Sequence, residues 1–197
     1  MVRTIVFLGD SITAGYGVLP QLAFPAQLES MLENVICINQ GRTGWATTGY
    51  VRRLPDIVAG IPKNVDYCCI QLGANDLRLH GHSGTVVAQC VTNMMRILTT
   101  IQRDRPNTHL ILMSSPKIDI VAMPRWLTQA GFGEQTNNYL ARLHDEYKAL
   151  AYRQKISFIE LLYALPSGYT LDGAHPTIEG HRILAKYIKV ELERIWG

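Results

Sequence analysis

The stretch Thr4-Ile5-Val6-Phe7-Leu8-Gly9-Asp10-Ser11 decides how this chain is read. A short, partly β-branched apolar run that stops at a glycine predicts a buried strand over residues 4–8. A polar Asp-Ser pair follows at once, where the strand hands over to a loop. Working outward, apolar runs and helical periods alternate along the chain, without internal repeats or low-complexity segments. Further strands are expected over residues 35–38, 67–72, 110–113 and 156–159. The run 67–72 is apolar on both faces, which makes it a central strand. Helices are expected over 24–32, with Pro25 in the first turn, and over 50–59, broken at Pro55. Val87, Cys90, Val91, Met94, Leu98 and Ile101 recur at helical spacing, as do Tyr139, Leu140, Leu143, Tyr147 and Leu150. Pro176 opens a last helix whose core face is read as Ile183, Leu184, Tyr187, Ile188 and Ile195. Five strands alternating with helices imply an α/β fold, a parallel sheet covered on both faces. Such sheets carry their sites in the loops after the strands, near a topological switch point.

Composition agrees with that frame. The chain has 197 residues, 47% of them hydrophobic, enough for one domain over residues 1–197 with a full core. Net charge is +3, from 19 Lys+Arg against 16 Asp+Glu, and the basic residues do not form runs. Nucleic acid is therefore not an expected partner. No stretch approaches the roughly 18 apolar residues of a membrane span, and the first apolar run is too short for a signal peptide. The expectation is a cytoplasmic protein. Cys37, Cys68, Cys69 and Cys90 lie in apolar stretches and read as reduced, structural residues. Cys68 and Cys69 are adjacent, so in a strand they point to opposite faces and cannot share a metal ion.

Four polar segments sit where the strand-end loops should converge. They are Gly9-Asp10-Ser11, the glycine- and threonine-rich loop around Gly44, Gly73-Ala74-Asn75-Asp76, and Asp172-Gly173-Ala174-His175. Ser11 is a poor nucleophile alone and needs a base to take its proton. His175 is the candidate base. Asp172, three residues earlier, can fix its tautomer and stabilise the imidazolium. The oxygen of an attacked carbonyl needs donors, and Asn75 offers a side-chain amide while Gly44 offers a backbone N–H unobstructed by a Cβ. Each residue alone also reads as a cap or turn former; their joint placement argues for acyl transfer.

That placement resembles blocks I, II, III and V of the GDSL/SGNH hydrolases, a superfamily of serine esterases and lipases. Gly9-Asp10-Ser11 matches the first block with Ser11 as nucleophile, and Gly44 falls at the oxyanion-hole glycine of the second. Gly73-Ala74-Asn75-Asp76 fits GxND, and Asp172-Gly173-Ala174-His175 fits the terminal DxxH. The resemblance implies a flavodoxin-like three-layer α/β/α sandwich with five parallel strands. It also implies a further oxyanion donor, the Ser11 backbone N–H, and no metal or organic cofactor. The compact size is similar to the bacterial arylesterase, thioesterase and lysophospholipase branch. Trp45 follows Gly44 where that branch often has aspartate, a departure that bears on substrate choice.

Other motifs weigh less. Gly81-His82-Ser83-Gly84 would need glycine at 85 to make a GxSxG elbow and has Thr85. Ser114-Ser115-Pro116-Lys117 spells S-x-x-K without its companion motifs. His80 and His82 have no third metal ligand nearby in sequence and read as a polar loop. Two long connections, 77–83 and 116–132, are placed to wall a pocket. The second holds Ile118, Ile120, Val121, Met123, Trp126, Leu127 and Phe132, unusually apolar for a surface loop. It lines an acyl or aryl pocket, packs on the body, or forms a homo-oligomer contact. The expected activity is hydrolysis of short-chain, aryl or lysophospholipid-type esters. The alternatives are a carbohydrate O-acetylesterase and, from another class, a non-catalytic flavodoxin-like module gripping phosphate with the first loop.

Overall fold

A computed structural model describes residues 2–197. Five strands form one parallel sheet: β1 (Arg3–Gly9), β2 (Val35–Gly41), β3 (Tyr67–Gln71), β4 (His109–Met113) and β5 (Ser157–Ile159). Their order is β2-β1-β3-β4-β5. This is the doubly wound, flavodoxin-like order, with its switch point between β1 and β3. Strand alternation divides the core in two. Val6, Leu8, Cys68, Ile70, Leu110 and Leu112 face one layer, while Ile5, Phe7, Cys69, Ile111 and Met113 face the other. Cys68 and Cys69 thus lie on opposite faces, as the strand period requires; all four cysteines are free thiols.

The first layer holds α3 (Thr47–Arg52), α4 (Leu54–Gly60), α5 (Ala74–His80), α6 (Gly84–Asp104) and α8 (Thr136–Gln154). In α6, Ser83 caps the N-terminus by accepting from the Val86 N–H at 3.2 Å, and Val87, Cys90, Met94, Ile97, Leu98 and Ile101 form the buried stripe. Each such aliphatic side chain taken from water contributes roughly 1.5–3 kcal/mol before the cost of ordering the chain. The second layer holds α1 (Ser11–Ala14), α2 (Phe24–Met31) and α9 (Ile178–Trp196). A short helix, α7 (Arg125–Gln129), interrupts the long connection after β4.

Three expectations need correction. The break in the helix expected over 50–59 falls at Arg53, not at Pro55, which sits in the first turn of α4 where its missing N–H has no partner to lose. Strand β2 runs on to Gly41 because Asn39, Gln40 and Gly41 pair with Phe7, Leu8 and Gly9 of β1; the pairing partner, not the side-chain pattern, sets its length. In α9, capped by Thr177 rather than opened by Pro176, Leu184 and Ile188 are buried as expected and Ile195 packs against the core, but His181, Ala185 and Leu192 complete the face and Tyr187 is 37% exposed. No helix among the described residues is long and apolar enough to cross a membrane.

Candidate active site

The loops after β1, β2 and β3 and the segment before α9 meet at the carboxyl edge of the sheet. Ser11 is the first residue of α1, held there by Asp10, whose Oδ1 caps the helix by accepting the Ile12 N–H at 2.9 Å. Gly9 ends the strand in a space that no side chain fits: a Cβ there would stand 2.1 Å from Thr13 Oγ1. The Tyr50 hydroxyl bridges the N–H and carbonyl of Gly9 at 2.8 Å each, so α3 fixes the strand end. Beneath it, the Gln71 amide donates to Asp10 Oδ2 (3.3 Å) and to Ser115 Oγ (2.8 Å) and accepts from Thr13 Oγ1 (3.2 Å). Burial pushes the Asp10 carboxyl up to about 6 despite the bonds from Ile12 and Gln71.

The segment before α9 folds back through a bridge between Thr170 and Pro176, with the Leu171 N–H donating to the His175 carbonyl at 2.7 Å. Asp172 Oδ1 accepts the backbone N–H groups of Ala174 (3.1 Å) and His175 (2.9 Å). Its Oδ2 lies 2.8 Å from His175 Nδ1, and His175 Nε2 lies 3.0 Å from Ser11 Oγ. Burial alone would raise the Asp172 carboxyl; the bonds from the His175 ring and backbone and the attraction of the imidazole outweigh it and hold the group below its ordinary value. Asp172 is therefore an anion beside the imidazole. The Tyr16 ring lies 4.5 Å from that of His175, tilted by 44°.

Gly44 sits in a turn closed by the Trp45 N–H donating to the Arg42 carbonyl at 3.1 Å. A Cβ on Gly44 would meet nothing within 4 Å, but φ is +78°. The backbone conformation alone calls for glycine here. Asn75, in the first turn of α5, donates from Nδ2 to the Trp45 carbonyl at 3.2 Å and accepts at Oδ1 from Arg78 Nε at 3.0 Å. Asp76 ties the second loop to the third by accepting the Thr47 N–H (2.9 Å) and hydroxyl (2.6 Å).

Ser11, Gly44, Asn75 and His175 all line one cleft of about 210 Å³, while Asp172 stands behind the imidazole. Ile118, Trp126, Leu127 and Phe132 from the connection 116–132 form its apolar wall. That connection divides its side chains: Ile118, Leu127 and Phe132 are buried, while Trp126 is 55% and Val121 98% exposed. The Asp119 N–H donates to the Gly173 carbonyl at 2.7 Å, pinning the wall to the segment that carries Asp172 and His175. Of the other motifs, Ser115 belongs to the floor of this site and Pro116 and Lys117 line the cleft. Ser114 Oγ accepts the N–H groups of Leu161 and Leu162 at 2.9 and 3.2 Å, Lys117 Nζ lies 4.3 Å from the Tyr163 ring centre, and His82 bonds Thr136. Sequence reasoning missed Arg78, although its i,i+3 spacing from Asn75 on a helix was available as a signal.

The family model of the GDSL-like lipase/acylhydrolase family matches residues 7–183. An arylesterase of Vibrio mimicus is 26% identical over 196 residues, covering 95% of this chain and 87% of that protein. Among solved structures, the native M. smegmatis aryl esterase has a TM-score of 0.80 at 21% identity, covering 98% of this chain and 99% of that one. A carbohydrate acetylesterase family member from Sinorhizobium meliloti has a TM-score of 0.82 at 19% identity, covering 98% of each chain. Since the matched span runs from within β1 into α9 and takes in every loop at this edge of the sheet, the chain belongs to the GDSL-like lipase/acylhydrolase family.

Proposed function

We propose that this chain hydrolyses carboxylic esters through an acyl-enzyme on Ser11. The observation that carries the reading is the continuous relay from Asp172 Oδ2 to His175 Nδ1 (2.8 Å) and from His175 Nε2 to Ser11 Oγ (3.0 Å), beside an apolar cleft. An ionised Asp172 accepts the Nδ1–H and leaves Nε2 as the basic nitrogen. His175 takes the Ser11 proton as Oγ attacks the carbonyl carbon, then returns it to the departing alcohol. Water next attacks the acyl-enzyme with His175 again as base, releasing the carboxylic acid and restoring Ser11. The oxyanion of each tetrahedral intermediate is received by Asn75 Nδ2–H and the N–H groups of Gly44 and Ser11. The last opens α1, where the first amides lack intrahelical acceptors.

Cleft size and lining narrow the substrate. A cavity of about 150 Å³ holds a benzene ring, so about 210 Å³ suits an aryl group or a short acyl chain better than a long fatty acyl. The wall of Ile118, Trp126, Leu127 and Phe132 favours an apolar group over the small polar pocket that a sugar O-acetylesterase would use. A phosphate-gripping module has no use for the relay. The test is hydrolysis of p-nitrophenyl esters from acetyl to long acyl chains by wild type and Ser11→Ala, with fluorophosphonate labelling. Turnover that falls with chain length and vanishes with Ser11 supports the reading. Full activity or full labelling in Ser11→Ala overturns it.

A further inference from the structure

We infer that Arg78 is a positioning residue that acts through Asn75, fixing which end of its amide faces the reacting carbonyl. The inference rests on the reading of Asn75 as an oxyanion donor and goes beyond it. An asparagine amide is nearly symmetric in shape: turned over, it presents an acceptor where an oxyanion needs a donor. Something must set its sense. Arginine carries only donors, so the bond from Arg78 Nε (3.0 Å) can be made only to Oδ1. The Trp45 carbonyl is only an acceptor, so its 3.2 Å contact can be made only with Nδ2. The two anchors agree and leave the second Nδ2 hydrogen for the cleft. Either one alone would hold the amide less firmly about its last torsion.

Arg78 is itself held for this task. It lies three residues after Asn75 on the same helix, half-buried, lining the same cleft. Its guanidinium lies 6.0 Å from the Phe132 ring centre. The turn after α7 packs on its backbone so closely that a Cβ at Gly131 would stand 2.1 Å from the Arg78 carbonyl oxygen. Among the described residues, no carboxylate within salt-bridge distance competes for it. The charge also polarises the Asn75 carbonyl and so strengthens its N–H groups as donors.

The test is steady-state kinetics on a short p-nitrophenyl ester with Arg78→Met, Arg78→Lys, Asn75→Ala and the double variant Asn75→Ala/Arg78→Met. Thermal melts check folding, and Arg78→Leu replaces Arg78→Met if the latter does not fold. Asn75→Ala should lower kcat about 10²–10³-fold, as loss of an oxyanion donor does. Arg78→Met should lower kcat about tenfold with KM within twofold, and Arg78→Lys, which still donates, should recover part of it. In the Asn75→Ala background, Arg78→Met should change kcat less than twofold. Equal effects in both backgrounds, an effect confined to KM, or an unharmed Arg78→Met overturn the inference alone. Wild-type kcat in Asn75→Ala overturns the oxyanion reading and the Arg78 inference with it.

Discussion

Replacing His181 should make this fold gain stability over wild type as the pH falls. The imidazole is 0% exposed between α2 and α9, stacked on Phe24 at 6.3 Å. Its Nδ1 accepts the Phe24 N–H at 3.3 Å, and Nε2 has no partner. Protonation would set donor against donor at Nδ1 and put a charge in a dry interface, so burial pushes the imidazole down from 6.5 to about 4. The unfolded chain thus takes up a proton between pH 6.5 and 4 that the folded chain refuses. Stability is full above 6.5 and falls by about 3 kcal/mol on the way to 4, at about 1.4 kcal/mol per pH unit. Buried Asp10 acts with the opposite sign. Raised from 3.8 to about 6, it protonates in the folded chain first, and its cost of burial, also about 3 kcal/mol, is relieved as pH falls from 6 to 3.8. In wild type the two nearly cancel.

His181→Asn can keep an acceptor for the Phe24 N–H while removing the titration. Its smaller volume costs stability at every pH, so that penalty drops out when two pH values are compared. Urea unfolding followed by fluorescence and circular dichroism at pH 7, 6, 5 and 4 gives both curves. The variant should gain on wild type by about 3 kcal/mol between pH 7 and 4. A difference that stays constant with pH would refute the reasoning, because His181 would then titrate alike in the folded and unfolded chains.

Trp126→Ala removes an indole that lines the cleft. If a bulky aryl ester buries about 50 Å² against it, kcat/KM for that ester should fall roughly tenfold, at about 25 cal/mol per Å². A small acetate ester should change less than threefold; equal losses on both would remove this wall from substrate selection. At the end of α8, Lys155 adopts the left-handed conformation (φ 54°, ψ 40°) that glycine takes without strain. Lys155→Gly should therefore stabilise the fold by about 0.5–1 kcal/mol. Thermal melting checks this, and an unchanged or lower Tm would mean that the added freedom of the unfolded chain offsets the relieved strain.

What sequence revealed, and what it hid, follows from the range of the interactions. Residues 4–8 and 67–72 are legible as strands because burial on both faces writes itself into continuous apolar runs. The polar end of β2, Asn39-Gln40-Gly41, is extended because β1 lies beside it, and periodicity cannot register a partner. The break at Arg53 was displaced from Pro55 because proline disrupts a helix interior but suits a first turn. Ser11, Gly44 and Asn75 stand out in the sequence because each follows closely on a strand, and Asp172 and His175 because of their three-residue spacing before the last helix. His181 does not: its partner Phe24 is 157 residues away, and a histidine on an apolar helix face gives no sign of what it will bond.

The switch point explains why one edge of the sheet holds both kinds of group. Beyond β1 the chain turns into the layer of α1, α2 and α9; beyond β3 it turns into the layer of α5, α6 and α8. Ser11 and Asn75 therefore lie in the first turns of helices on opposite faces of the sheet, and the cleft is the crevice between them beyond the carboxyl ends of β1 and β3. The floor of this crevice is polar: Gln71 gathers Asp10, Thr13 and Ser115, while Asp76 gathers Thr47, whose hydroxyl also accepts from Asn93 at 2.9 Å. Apolar residues of the same volume would stabilise such a floor at least as well, since buried ionisable groups rarely repay their desolvation. What apolar packing cannot supply is direction. Each bond in this floor has one donor and one acceptor, so together they fix the angle at which α1 presents Ser11 and the distance from α5 to the loop bearing Gly44. Residues that build an edge of chemistry from distant loops have to agree to within about half an ångström. Directional contacts across the sheet meet that demand, at a cost in stability that the large apolar layers on either side can carry.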